Sequence, residues 1–155
     1  MLQALGLGVS EPAKALLDAS AIVALVFKER GYGVVERIVK AGIAATSPTG
    51  LVEVLGVCRR KGYKGTRDEL VADLAGLGLE VTLPIEVDGP EMALLLERAA
   101  ELAAKGGKHA AKLETLSLGD AACLAAAVRL GTTAVFSDGT WELLEVRVLP
   151  APTFA

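Results

Sequence analysis

Residues 115–141, TLSLGDAACLAAAVRLGTTAVFSDGTW, leave a chain few ways to fold. They read as a helix entered through Ser117-Leu118-Gly119-Asp120, in which Ala121, Leu124, Ala125 and Val128 make one apolar stripe at helical spacing. Gly131 ends that helix, because a residue without a Cβ turns the chain there at least cost. The next run, residues 132–136, is short, apolar and β-branched, which predicts a buried strand stopping at Ser137-Asp138. Asp120 and Asp138 thus stand at a helix start and a strand end. In a parallel α/β sheet those two places share one edge, and ligands collect there. Each acid also has a purely structural reading. Ser117 with Asp120 is a capping-box pattern with Asp in place of Glu or Gln, and Asp138-Gly139 is a common turn pair. Function therefore depends on whether further carboxylates reach the same edge.

The rest of the chain supplies two. Residues 14–17 read as a first strand ending at Asp18, and residues 20–29 as a helix with Ile22, Val23, Val26 and Phe27 inward, which Asp18 also suits as a cap. A helix at 33–40, with Val34, Val35, Ile38 and Val39 inward, leads to a second strand at 43–46. Ser47-Pro48 then opens a helix over 48–61, with a cap followed by proline in the first turn. Glu53 lies in that helix, on a face with Thr49, Gly50, Gly56, Val57 and Arg60. Glycines inside a helix cost roughly 1 kcal/mol each, so a reason for them is expected, and small neighbours leave room for an ion or substrate beside the acid. A surface Glu on a loosely built helix is the plainer reading. Arg59, Arg60 and Lys61 suit the helix dipole at its end. A helix at 66–75 with Thr66 and Glu69 as capping box follows, then a strand at 79–83 stopped by Pro84. Next come a helix at 90–105 with Met92, Leu95, Leu96 and Leu102 inward, and an exposed connection at 106–112. Residues 146–149 read as a last edge strand. Strands alternate with helices throughout, which is the pattern of a parallel α/β sandwich.

Bulk properties narrow the class. At 155 residues and 16.0 kDa the chain suits a single domain over residues 13–150, with 1–12 an N-terminal extension of no clear period and 151–155 a tail. Net charge is -3 and the pI is near 5.2, which excludes a protein that holds nucleic acid by bulk charge. Cys58 and Cys123 sit in apolar helical contexts as small core residues of a reducing compartment, without metal-ligand spacing. The single His109, beside a Gly-Gly-Lys loop, supports neither a zinc site nor a Ser-His-Asp triad. The first basic residue is Lys14, so the charged start of a signal peptide is missing. No uncharged apolar run reaches the roughly 18 residues that span a bilayer. A cytoplasmic protein without membrane contact is expected.

Asp18, Glu53, Asp120 and Asp138 thus stand out. Clustered carboxylates repel one another unless a cation sits between them. Hard oxygen ligands without His or Cys select Mg2+ or Mn2+. Such an ion lowers the pKa of a bound water and neutralises charge on a reacting phosphodiester.

The order and contexts of these acids resemble the PIN-domain ribonucleases, in particular the VapC toxins of toxin–antitoxin pairs. The resemblance rests on LLDASAIVAL, SPTGLVEVLGVCRRKG and LSLGDAACLAAAVRLGTTAVFSDGTW, and spans nearly the whole chain from Lys14 onward. It implies a PIN-like three-layer α/β/α sandwich with a mainly parallel central sheet. It also implies a metal-dependent endoribonuclease that hydrolyses RNA phosphodiester bonds with Mg2+ or Mn2+. Asp18, Glu53, Asp120 and Asp138 match the family's catalytic acids, with Asp18, Asp120 and Asp138 as metal ligands and Glu53 nearby. Ser20 and Ser137 match supporting positions, and Arg59, Arg60 or Lys61 would steer the RNA backbone. A cognate antitoxin and a homodimer are implied as partners. The sequence departs from the family pattern at Phe136, where Thr is frequent, at Gly139, where a basic residue is common, and at Thr140, where some members carry another acid.

Two rivals come from other classes. An aspartyl-nucleophile phosphatase needs Asp-x-Asp after the first strand, and Asp18-Ala19-Ser20 lacks the second acid. A catalytically inactive PIN-like module that binds a protein or RNA partner is favoured by the departures around Asp138. The presence of all four acids argues against it, since a binding module gains nothing from mutually repelling carboxylates.

Overall fold

The computed structural model describes residues 15–82, 88–131, 133–135 and 144. The triplets Ala15–Leu17 (β1) and Ala44–Thr46 (β2) are buried at every position, as strands covered on both faces must be. With Glu80–Val81 (β3) and Thr133–Val135 (β4) they make a sheet of order β3-β2-β1-β4 in which every pairing is parallel. Leu16 stands opposite both Ala45 and Ala134, which fixes the register at the sheet centre. The helices are Ala19–Phe27 (α1), Tyr32–Lys40 (α2), Pro48–Arg60 (α3), Arg67–Leu77 (α4), Asp88–Ala104 (α5), Ala110–Glu114 (α6) and Leu118–Leu130 (α7).

Side chains alternate across a strand, and the two cores follow from that. Ala15, Leu17 and Ala44 face Ile22, Val35, Val39, Val54, Cys58, Leu70 and Leu74 from α1 to α4. Leu16 and Ala45 face Leu95, Ala99, Leu113 and Leu124 from α5 to α7, together with Leu144. The result is the expected three-layer α/β/α sandwich with a parallel sheet. The chain lays β2 and β3 on one side of β1, then crosses to place β4 on the other. That reversal opens a crevice beyond the C-terminal ends of β1 and β4.

Local chemistry sets the helix starts as read from the sequence. Ser47 accepts from the Gly50 N–H with Pro48 following it, and Thr66 with Glu69 forms a full capping box. Both cysteines are buried and free. No described helix is long and apolar enough to cross a membrane.

Three expectations change. The segment at 106–112 is not wholly an exposed connection: α6 begins within it, and its buried Leu113 joins the second core. The long helix starts at Asp88 rather than at residue 90, and Asp88 takes a bidentate ion pair from Arg129 at the end of α7. Finally, α7 is not a helix with one apolar stripe. Ala121 and the whole run from Cys123 to Ala127 are buried, because α5, α3, β1 and β4 all pack on it. Its small residues are what let so many neighbours approach. The strand read at 146–149, the extension at 1–12 and the tail at 151–155 lie outside the described residues.

Candidate active site

Asp18 follows β1 directly and caps α1. The Ala21 N–H donates to Oδ1 at 2.8 Å, and the Ser20 hydroxyl donates to Oδ2 at 2.7 Å. The reading of this acid as a helix cap is therefore realised. A cap carboxylate is ordinarily exposed and ionised, yet Asp18 is only 7% exposed. Burial pushes its carboxyl up to about 7, against the lowering effect of the bonds from Ser20 and Ala21, and the charges of Asp120 and Glu53 raise it further. Thr46, buried at the end of β2, donates its hydroxyl to the Leu17 carbonyl at 2.8 Å and so fixes the backbone just before Asp18.

Asp120 and Glu53 come to this edge from helices on opposite faces of the sheet. Ser117 caps α7 by accepting from the Asp120 N–H at 3.0 Å, and the Ser117 N–H donates to Asp120 Oδ2 at 3.0 Å. The same serine hydroxyl donates to Glu53 Oε2 on α3 at 3.1 Å. Glycine leaves room for the Glu53 carboxylate where α3 and α7 meet. A Cβ on Gly119 would lie 2.6 Å from Glu53 Oε2 and 3.7 Å from the Gly50 Cα. The room expected beside Glu53 is accordingly filled. A Cβ on Gly50 would meet Thr46 Oγ1 at 2.8 Å and Ser47 Oγ at 3.1 Å, so that glycine serves packing at the sheet edge.

Cys123 is buried on α7 within the field of these acids. Burial first, then the charges of Asp18 and Asp120, hold its thiol well above the ordinary range and so favour the protonated form. Lys61 pairs with Glu29 and lies over the Phe27 ring, 5.3 Å from its centroid. Arg59 and Arg60 are exposed at the far end of α3, and Arg59 lines a cleft of about 500 Å³ with Gly56, Tyr63 and Arg67. The structure thus brings Asp18, Ser20, Glu53 and Asp120 to one edge, and Arg59, Arg60 and Lys61 stand at the C-terminal end of α3. Ser137 and Asp138 lie outside the described residues. The sequence missed Ser117 as a link between acids. Its cap pattern was visible, but a bond to a side chain on another helix leaves no local signal.

The donor set suits a hard divalent cation. Among the described residues no three His, Cys, Asp or Glu side chains are grouped closely enough to hold a metal ion by themselves. Mg2+ sites, however, use one or two carboxylates with water completing the shell. The positive observation is Asp18, a buried carboxyl raised by two further acids, Asp120 and Glu53, among the described residues. Gly119→Ala tests the arrangement. The atom it would strike is the end of a flexible side chain, so the fold should survive with an unchanged or slightly higher melting temperature, alanine being the better helix former. Displacing Glu53 should weaken Mn2+ binding about tenfold. Unchanged affinity by calorimetry would mean that the position of Glu53 does not matter to the cation.

A family model described as PIN domain matches residues 15–146 of the chain. Comparison with curated proteins finds no match.

Proposed function

This chain belongs to the PIN-domain family, whose fold is of nuclease type, and on that premise we propose that it is a metal-dependent endoribonuclease of the VapC-toxin kind, hydrolysing RNA phosphodiester bonds. The observation that carries the reading is the desolvated Asp18 carboxyl at the crevice of the sheet, in the field of Asp120 and Glu53. In this reading Asp18, Asp120 and Asp138 hold Mg2+ or Mn2+, with Glu53 beside them. The bound ion supplies charge neutralisation at the phosphate and a more acidic water for attack on phosphorus.

The chain's own residues do the rest. Asp18 gives up a proton from its carboxyl for the site to load, and the Ser20 hydroxyl and Ala21 N–H keep its oxygens aimed as it does so. Glu53, anchored by Ser117, orients groups at the reacting centre. Arg59 and Arg60 steer the RNA backbone from the end of α3, while Lys61 is engaged with Glu29. The activity resides in one domain, residues 13–150, which acts in the cytoplasm as a homodimer restrained by a cognate antitoxin. The motif resemblance supports these assignments.

The test avoids the unknown RNA target. Mn2+ titrated calorimetrically into the protein should bind saturably, and at least about tenfold more weakly to Asp120→Asn. A wild-type protein that binds no Mn2+ down to about millimolar affinity would overturn the reading in favour of an inactive binding module.

A further inference from the structure

We propose that Ser117 is a positioning residue of the acid cluster, its hydroxyl fixing where Glu53 stands relative to Asp120; this rests on the metal-dependent reading above. A helix cap needs only the acceptor half of a serine hydroxyl, and the Asp120 N–H at 3.0 Å uses that half. The hydroxyl also carries one proton to donate, and the proton goes to Glu53 Oε2 at 3.1 Å, on a helix 64 residues away in sequence. The Ser117 N–H meanwhile holds Asp120 Oδ2 at 3.0 Å. One residue thereby contacts both acids, with its proton on one and its backbone on the other. Glu53 and Asp120 arrive on helices from opposite faces of the sheet, so neither helix alone sets their separation. Gly119 completes the device by leaving the Glu53 carboxylate space at the helix start, since a Cβ there would lie 2.6 Å from Oε2.

A capping role and a positioning role separate experimentally because glycine is accepted at the start of a helix almost as well as serine, yet it donates nothing. Ser117→Gly should keep the melting temperature within about 2 °C while Mn2+ affinity falls about tenfold. Ser117→Thr, which retains the hydroxyl, should restore both. In a Glu53→Ala background, where the acceptor is gone, Ser117→Gly should change Mn2+ affinity by less than about twofold. Wild-type affinity in Ser117→Gly, or an equal loss with and without Glu53, would overturn the proposal while leaving the metal site standing. Failure of the wild-type protein itself to bind Mn2+ would instead remove the metal reading and this inference together.

Discussion

Asp18→Asn is expected to abolish RNA cleavage, by about 10³-fold or more, and yet to make the metal-free protein harder to unfold above pH 7. Both effects follow from one buried carboxyl. Asn keeps the acceptor that caps α1 through the Ala21 N–H, so the helix start is preserved. What it removes is a charge the fold disfavours. Burial raises the Asp18 carboxyl from an ordinary 3.8 to about 7. Between those values the folded protein binds a proton that the unfolded chain has already released. The stabilising contribution of the protonated acid is therefore complete below about pH 4, falls as pH rises, and is gone above about pH 7. A gap of about three units corresponds to something on the order of 4 kcal/mol.

Urea denaturation in a chelator at pH 4.5 and pH 8 measures this directly. Wild type should lose stability across that interval, and Asp18→Asn should lose less. Mn2+ at pH 8 should then stabilise wild type but not the variant. The linked proton also predicts that Mn2+ affinity rises with pH up to about 7 and levels off beyond it. Parallel stability profiles in the two proteins, or wild-type cleavage by Asp18→Asn, would remove Asp18 from the centre of the site.

Arg129→Met is the second large effect, and it falls on stability. Arg129 Nε donates to Asp88 Oδ1 at 2.8 Å, and Nη2 donates to Oδ2 at 3.1 Å. The Asp88 side chain is 5% exposed, so withdrawing the guanidinium strips a buried carboxylate of its bidentate partner. Removal of one member of such a pair costs about 3 kcal/mol or more. The pair ties the first turn of α5 to the last turn of α7, and its loss should loosen the layer that presents Asp120. Replacing both residues, Asp88→Leu with Arg129→Met, should recover much of the cost, because the buried carboxylate is removed together with its guanidinium. The midpoints of urea unfolding report both variants. A drop of under about 1 kcal/mol for Arg129→Met would mean that water or other groups replace the guanidinium.

Much of this fold is legible locally. The starts of α3, α4 and α7 were readable from Ser47-Pro48, Thr66 with Glu69, and Ser117 with Asp120, because caps are made by neighbours in sequence. The strands β1 and β2 were readable because a few apolar residues bounded by polar ones have little else to become. Asp88 with Arg129 was not readable, since the partners are 41 residues apart and neither sits in a pattern. The glycines were read only in part. Those flanking Glu53 on its own helix are visible at helical spacing, whereas the residue whose missing side chain accommodates the carboxylate is Gly119, on a different helix. A sequence shows that space is needed near an acid, but it does not show which segment arrives to use that space. Nor could the burial of Asp18 be read, since it depends on how α1, α3 and α7 close over the end of β1.

The sheet order carries a consequence for the timing of synthesis. β1 lies next to β4, pairing Ala15 with Thr133, so this interior strand waits for the last of the described strands. A nascent chain that has grown only through α4 holds Asp18 and Glu53 but has not yet made Asp120, and one flank of β1 is still bare. Asp18, Glu53 and Asp120 come together only when α7 and β4 dock.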